Sequence, residues 1–398
     1  MHPDVPASHA APLSELLGLF RDGRPRTRAE LTAETGLARS TVRSRLDALL
    51  DAGLIYDAGS GASTGGRPAG RLVFNAQARV VLAADVGATH AILAVTDLTG
   101  ATLATSRFTL DINDGPDAVL SHLVEVWRGL LAQSDLEAVP LAGIGVGLPG
   151  PVEHSTGRPQ NPPIMPGWDG YDVPGRLAAD FGVPVLVDNE VNLMALGEHT
   201  MRFADIENLI LVKVATGIGA GIISNGRLHR GTVGAAGDLG HILVPRGGEA
   251  PCRCGNKGCL EAVASGAAVA AALREQGFDA RSNADVVSLV RKGNVVAAQA
   301  VRQAGRDIGE VLAGCISMLN PSLIVIGGSL AEAGEMLLAG AREAIYARSL
   351  PIATQQLSIT ASRAGTAGVL GAAAMVVQYA LSPAVLDDEP AGSPSKPE

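Results

Sequence analysis

GDLGHILVPRGGEAPCRCGNKGCLEAVAS, residues 237–265, gathers three cysteines and one histidine into nineteen residues: His241, Cys252, Cys254 and Cys259. A Cys-x-Cys pair followed closely by a third cysteine sets three thiolates on a tight glycine-rich loop. A neutral imidazole just upstream completes the four-ligand tetrahedral set that structural zinc prefers. The rival, a disulfide, fits poorly, because Cys252 and Cys254 are too close to bridge comfortably and three cysteines do not pair off. The remaining cysteine, Cys315, lies in an apolar helical stretch and reads as a small core residue. One structural Zn2+ per chain is therefore expected.

This stretch, and the chain around it from about residue 13 to about residue 380, resembles the ROK family of repressors, open reading frames and sugar kinases. The resemblance implies an α/β fold: a two-lobed actin-like, ribonuclease H-like sugar-kinase body with one zinc on this motif. It further implies that the same histidine, and a glutamate after the last cysteine, contact a bound sugar; here these are His241 and Glu261. Zinc on one imidazole nitrogen fixes the ring and leaves the other free to aim at a sugar hydroxyl. What has to be decided is the branch, enzyme or regulator.

Composition narrows the class. The 398 residues are 47% hydrophobic, only 3% aromatic, and include 49 glycines, which suits an α/β protein of two or three domains with many tight loops. No apolar run is long enough to span a bilayer, and MHPDVPASHAAP lacks the basic-then-apolar order of a signal peptide. A cytoplasmic protein without membrane partners is expected, in keeping with cysteines used for metal rather than for disulfides. The net charge of −9 is unevenly spread: residues 1–80 hold ten arginines against eight acidic residues, a balance of +2 that leaves −11 for the rest. A mildly basic head on an acidic body is what a small DNA-binding domain fused to a metabolite-binding body presents.

The head has its own punctuation. LSELLGLFRD, residues 13–22, places Leu13, Leu16, Leu17 and Phe20 at helical spacing. After a Gly-Arg-Pro break, Thr27 and Glu30 form a capping box for a short helix, and Gly36 supplies a left-handed stop. ARSTVRSRLDALLDAG then reads as a second amphipathic helix with Val42, Leu46, Leu49 and Leu50 on its apolar face, completing a helix-turn-helix. Arg39, Ser40, Thr41, Arg43, Ser44 and Arg45 crowd the start of that helix, where side chains reach base edges in the major groove. Two strands follow, with DAGSGASTGGRPAG between them: a wing, whose slim Gly-Arg-Pro tip suits Arg67 to a narrow minor groove. ROK regulators carry such a winged head, and ROK kinases begin at the next segment.

In the body, Asp85, Gly87 and Thr89 form the turn with which actin-like sugar kinases hold ATP phosphates. A second turn at residues 215–231, with Thr216, Gly217 and Gly219, matches the family's second phosphate loop, and LIVIGGSL at 323–330 sits where the family has its adenosine-side loop. In a regulator these turns are read as remnants that the hairpins require. QNPPIMPGWDGYDV resembles the sugar-side loop, with Asn161 and Trp168 as contributors.

The branch turns on PVLVDNEVNLMALGEH, residues 184–199. ROK kinases read Asp-Asn-Asp here, with the Asn on a sugar hydroxyl and the last Asp as general base; this chain reads Asp188, Asn189, Glu190. The extra methylene moves the carboxylate by on the order of 1 Å, a misplacement that costs roughly 10²-fold in phosphoryl transfer but little in sugar binding. Asp238 replaces the glutamate of the kinases' GEIGH motif, and His90 stands where they have Lys or Asn. No catalytic residue is therefore assigned, and the sugar set is Asn161, Asn189, Glu190, Asp238, His241 and Glu261.

The expected organisation is a disordered 1–12, a winged helix-turn-helix at 13–76, a first lobe at 77–192 and a second lobe at 193–381. The last helix is expected to fold back on the first lobe, and 382–398 to form a disordered tail. The expected function is a sugar-responsive repressor of carbohydrate uptake or metabolism genes. It would bind a palindromic double-stranded operator as a homodimer or homotetramer, and a monosaccharide or sugar phosphate would release it. An ATP-dependent hexose kinase with an added DNA-binding head is the alternative.

Overall fold

The computed structural model describes residues 13–60, 70–363 and 365–387. The head opens with α1 (Leu13–Phe20), α2 (Arg28–Thr35) and α3 (Arg39–Asp51). Thr27 Oγ1 accepts from the Glu30 N–H at 3.2 Å while the Glu30 carboxylate accepts from the Thr27 N–H at 2.7 Å, so the capping box closes on α2. Gly36, at φ 67°, stops that helix and frees the chain to turn into α3. Val42, Leu46 and Leu49 of α3 are buried with Leu16, Leu17, Phe20 and Leu31. The strands β1 (Ile55–Ser60) and β2 (Gly70–Phe74) pair antiparallel as the wing. Its tip, with Arg67, lies outside the described residues, as do residues 1–12 and 388–398.

Two sheets follow, and they have one plan. In the first, β3 (Val80–Val86), β4 (His90–Thr96) and β5 (Thr102–Thr109) form an antiparallel meander, and β6 (Leu141–Leu148) adds parallel to β3. A two-residue hairpin, β7 (Val152–Glu153) with β8 (Arg158–Pro159), precedes β9 (Val185–Asn189), which adds parallel to β6. The helices α4 (Pro116–Gln133) and α5 (Val173–Phe181) belong to this lobe, and α6 (Glu190–Arg202) leads out of it. In the second sheet, β10 (Leu209–Val214), β11 (Ile218–Ser224) and β12 (Arg227–His229) repeat the meander. The helices α7 (Leu260–Ala264), α8 (Gly266–Glu275), α9 (Asn283–Arg291) and α10 (Val295–Leu319) come next, then β13 (Leu323–Gly327). After α11 (Glu335–Arg348) and α12 (Pro351–Thr354), β14 (Ser358–Ala361) completes the sheet. The strand orders β5-β4-β3-β6-β9 and β12-β11-β10-β13-β14 are the same order twice, the duplicated actin-like architecture.

The chain closes with α13 (Ala367–Ala380), which lies against β3, β6 and α6. α6 and α13 touch backbone to backbone: a Cβ on Gly197 would stand 1.9 Å from the Ala367 carbonyl oxygen, and one on Gly371 1.8 Å from that of Leu193. Neither crossing point has room for a methyl. Gly371→Ala is therefore expected to cost about 1–3 kcal/mol by overpacking, lowering the thermal midpoint by at least about 3 °C. An unchanged midpoint would mean the helices separate freely.

The C-terminal tail departs from expectation. Pro383–Leu386 form a short helix, α14, rather than unstructured chain from residue 382. The reason is burial: Leu386 joins the apolar cluster of the head, and Asp387 accepts from the Leu13 N–H and from Ser14 Oγ. Among the described residues, no helix is long and apolar enough to cross a membrane.

Candidate metal centre and ligand cleft

The four candidate metal ligands, His241, Cys252, Cys254 and Cys259, are brought together by one loop. The Leu243–Cys259 and Pro251–Lys257 bridges narrow its base, the Cys252 N–H donates to the Asn256 carbonyl at 2.8 Å, and Gly255 turns at φ 92°. The donor atoms of His241, Cys252, Cys254 and Cys259 all lie within 4.8 Å of one another. Tetrahedral zinc with Zn–S of about 2.3 Å and Zn–N of about 2.0 Å requires S···S near about 3.8 Å and S···N near about 3.5 Å. Cys254 Sγ and Cys259 Sγ are 3.8 Å apart, and Cys252 Sγ is 3.5 Å from His241 Nδ1. The four groups thus fit one small tetrahedral cation. Nδ1 of His241 faces the thiols, leaving Nε2, 3.8 Å from an Asp238 carboxylate oxygen, on the other side. The loop is anchored beneath by Arg246, which grips the buried Asp307 of α10 with its guanidinium and donates to the Val263 carbonyl.

The cleft acids gather where β9 gives way to α6. Asn189 caps the helix: its Oδ1 accepts from the Val191 N–H and its Nδ2 donates to the Gly150 carbonyl, each at 2.9 Å. One N–H and one lone pair remain for a ligand. Asp188 is buried and accepts from the Asn189 N–H, Asn192 Nδ2 and, at 2.6 Å, Arg230 Nε, with His154 4.0 Å away. Arg230 comes from the second lobe, so this pair ties the lobes together.

Glu190, at the kinase general-base position, is not free. Its carboxylate meets Lys213 Nζ at 2.5 Å, with the two side chains only 12% and 18% exposed. A carboxylate oxygen engaged by an ammonium in this way is not open to a sugar hydroxyl. Lys213 lies on β10 opposite Gly219 of β11 and Gly327 of β13, between two of the glycine turns. Asp85 faces the same group: burial and the charge of Glu190 push its carboxyl up to about 7, against the pull of Lys213 and Arg107. Burial, then Lys213 and Arg107, lower the His90 imidazole.

Glu261 bridges the metal loop to the second phosphate loop, its carboxylate accepting from the Ile218 N–H at 3.0 Å and pressing on Gly217. Gly240, beside His241, abuts the Ile218 carbonyl, and Gly219 packs on Val191. The metal loop, the second glycine turn and the start of α6 therefore converge. Thr89 and Thr216 are exposed, and His90 lies over Gly87. Asn161, in a left-handed conformation at φ 43°, is exposed, and Asp169 holds its N–H at 2.7 Å. Trp168 is a correction. It is fully buried and its indole donates to the Ile112 carbonyl at 3.1 Å, so it is a core residue rather than a ligand contact.

On α3, Arg39, Ser40, Arg43 and Ser44 are exposed opposite the apolar stripe, Thr41 is half-buried on its flank, and Asp47 pairs with Arg28 and Arg43. Sequence reading passed over Arg26, whose guanidinium holds Asp22, Glu34 and the Leu19 carbonyl and so pins α1 to α2. That hydrogen bonding holds the Asp22 carboxyl well below the usual carboxylate range.

A winged head on a two-lobed actin-like body with a Cys3His loop defines a regulator-type architecture, and the comparisons agree. The ROK family model matches residues 81–379, and that of bacterial regulatory proteins of the arsR family matches 14–57. The chain belongs to the ROK family. It is 30% identical over 359 residues to the xylose repressor of Bacillus spizizenii, covering 90% of this chain and 92% of that one. A solved ROK-family transcriptional regulator, a homologue of the E. coli MLC protein, superposes with a TM-score of 0.81 at 28% identity over 94% of this chain and 96% of its own. A ROK glucokinase from Streptomyces griseus, in complex with glucose and AMPPNP, superposes at 0.62 with 27% identity. It is covered over 98% of its length by only 74% of this chain.

Proposed function

We propose that this protein is a sugar-responsive transcriptional repressor acting in the cytoplasm on carbohydrate uptake or metabolism genes. The observation that carries the reading is the joining of a winged head to a kinase-like cleft whose general-base position, Glu190, is paired with Lys213. Residues 13–76 read a palindromic operator, as a homodimer or homotetramer, with Arg39, Ser40, Thr41, Arg43, Ser44 and Arg67 at the DNA. Residues 77–192 and 193–381 form the lobes of the cleft. Asn161, Asn189, Glu190, Asp238, His241 and Glu261 hold a monosaccharide or sugar phosphate, while Asp85, Gly87, Thr89, Thr216, Gly217 and Gly219 shape turns once used for phosphates. One structural Zn2+ on His241, Cys252, Cys254 and Cys259 fixes the loop that carries His241 and Glu261.

A sugar that favours closed lobes shifts the paired heads out of register with the half-sites, and a coupling of about 1–3 kcal/mol suffices for a switch. The test is fluorescence anisotropy on DNA from upstream of the protein's own gene, titrated with monosaccharides and their 6-phosphates without ATP. Tight binding, released at least fivefold by one sugar, is expected. Absence of DNA binding at low salt, together with ATP consumption on a hexose, would replace this reading with the kinase.

A further inference from the structure

We infer that α14 is a clasp by which the body holds the DNA-reading head, and that α13 carries the state of the cleft to that clasp. The inference rests on the repressor reading for its purpose, but its structural half stands on contacts of its own.

The clasp has a polar and an apolar jaw. The Asp387 carboxylate accepts from the Leu13 N–H at 2.5 Å and from Ser14 Oγ at 3.2 Å, satisfying an otherwise orphaned donor at the start of α1 from 374 residues away. Leu381 and Leu386 are buried in one cluster with Leu16, Leu17 and Phe20 of α1. A second attachment lies where the head joins the first lobe: the Leu98 N–H donates to the Ala76 carbonyl, while within the head the Asn75 N–H and Nδ2 donate to the Leu54 and Gly53 carbonyls and hold that exit in place. Two separate attachments fix an orientation that a single linker leaves free.

The other end of the route is the cleft. Only Leu381 and Ser382 separate α14 from α13, and the Ser382 N–H returns to the Tyr379 carbonyl at 3.0 Å, making the junction a tight turn. Fourteen residues away, α13 begins against Asp85: a Cβ on Gly368 would stand 2.2 Å from its carboxylate. At Gly197 and Gly371, α13 is locked to α6, whose first turn bears Glu190. A helix of about 21 Å therefore runs from Asp85 to α14, which meets the head at α1. A change in lobe closure that shifts α6 or Asp85 moves the clasp with it.

The experiment uses the full chain, comparing wild type with Asp387→Ala and with Asp387→Asn, which keeps an acceptor oxygen. Amide hydrogen exchange over residues 13–20 is expected to quicken at least tenfold in the alanine variant and to be largely rescued by asparagine, with the body's exchange unchanged. Operator affinity without sugar should fall, and the ratio of sugar-free to sugar-bound affinity should shrink at least threefold, while sugar affinity stays as it was. Exchange at α1 identical in all three chains would overturn the clasp. Quickened exchange with an unaltered sugar ratio would overturn the transmission through α13. A wild-type chain that binds no operator would remove the repressor reading instead, and the clasp would then be judged by the exchange data alone.

Discussion

Replacing Cys259 with serine is expected to strip the metal from the protein, lower its thermal midpoint by about 10 °C and weaken sugar binding at least tenfold. The donor spacing already matches a tetrahedral cation, and Cys259 Sγ is its most buried donor, at 1% residue exposure. Serine offers a poor ligand for zinc and leaves three donors crowded around a vacant corner. Structural zinc contributes about 10–16 kcal/mol in isolated zinc-finger peptides. Here the Arg246–Asp307 grip and the Leu243–Cys259 bridge hold part of the loop without it. A loss of about 3–5 kcal/mol, at about 2–4 °C per kcal/mol for a lobe of this size, gives the stated shift. Under the proposed assignment of His241 and Glu261 to the sugar, its affinity is expected to fall because both depend on the loop for their placement, and supporting residues of metal sites commonly account for 10- to 100-fold. Elemental analysis should find one zinc per wild-type chain and none in the variant, with Cys315→Ser as the control that keeps it. A metal-free wild type with the same midpoint as Cys259→Ser would sink the zinc assignment.

What the sequence disclosed was local. The Thr27–Glu30 box, the Gly36 stop and the His241-Cys252-Cys254-Cys259 quartet are short-range patterns whose chemistry is legible from spacing. What it hid was long-range pairing. Lys213–Glu190, Arg230–Asp188 and Arg246–Asp307 join residues 23, 42 and 61 positions apart, and no periodicity announces them. One clue to Lys213 was available: a lone lysine inside LILVKV, a strand otherwise apolar, must find a partner when buried. Trp168 misled for the opposite reason. A Pro-Gly-Trp turn invites a stacking role, yet the large ring removes more apolar area from water by packing inward beneath Ile112. The tail misled because its Pro-rich composition concealed two leucines and an aspartate placed to meet α1.

Asp85→Asn is expected to stabilise the protein increasingly as pH rises, and this pH dependence separates a strained cleft from an ordinary one. Burial, then the charge of Glu190, raise the Asp85 carboxyl from 3.8 to about 7. Between those two values the folded chain keeps a proton that the unfolded chain has released, so stability falls as pH climbs through the window and levels off above about 7. Asparagine has no proton to lose, so variant and wild type should differ least near pH 4 and most above pH 7. Between pH 5 and pH 8 the difference should grow by about 2 kcal/mol, less than the full shift implies, because the start of α13 lends the carboxylate partial positive charge and the cleft admits water. Urea midpoints at the two pH values read this directly, and any constant effect of the substitution cancels. A difference that stays flat across the window would show that the carboxylate is already ionised in the fold, held by Lys213. A growing difference would show that the cleft retains, at a cost in stability, an acid on the turn that in the family's kinases holds phosphate.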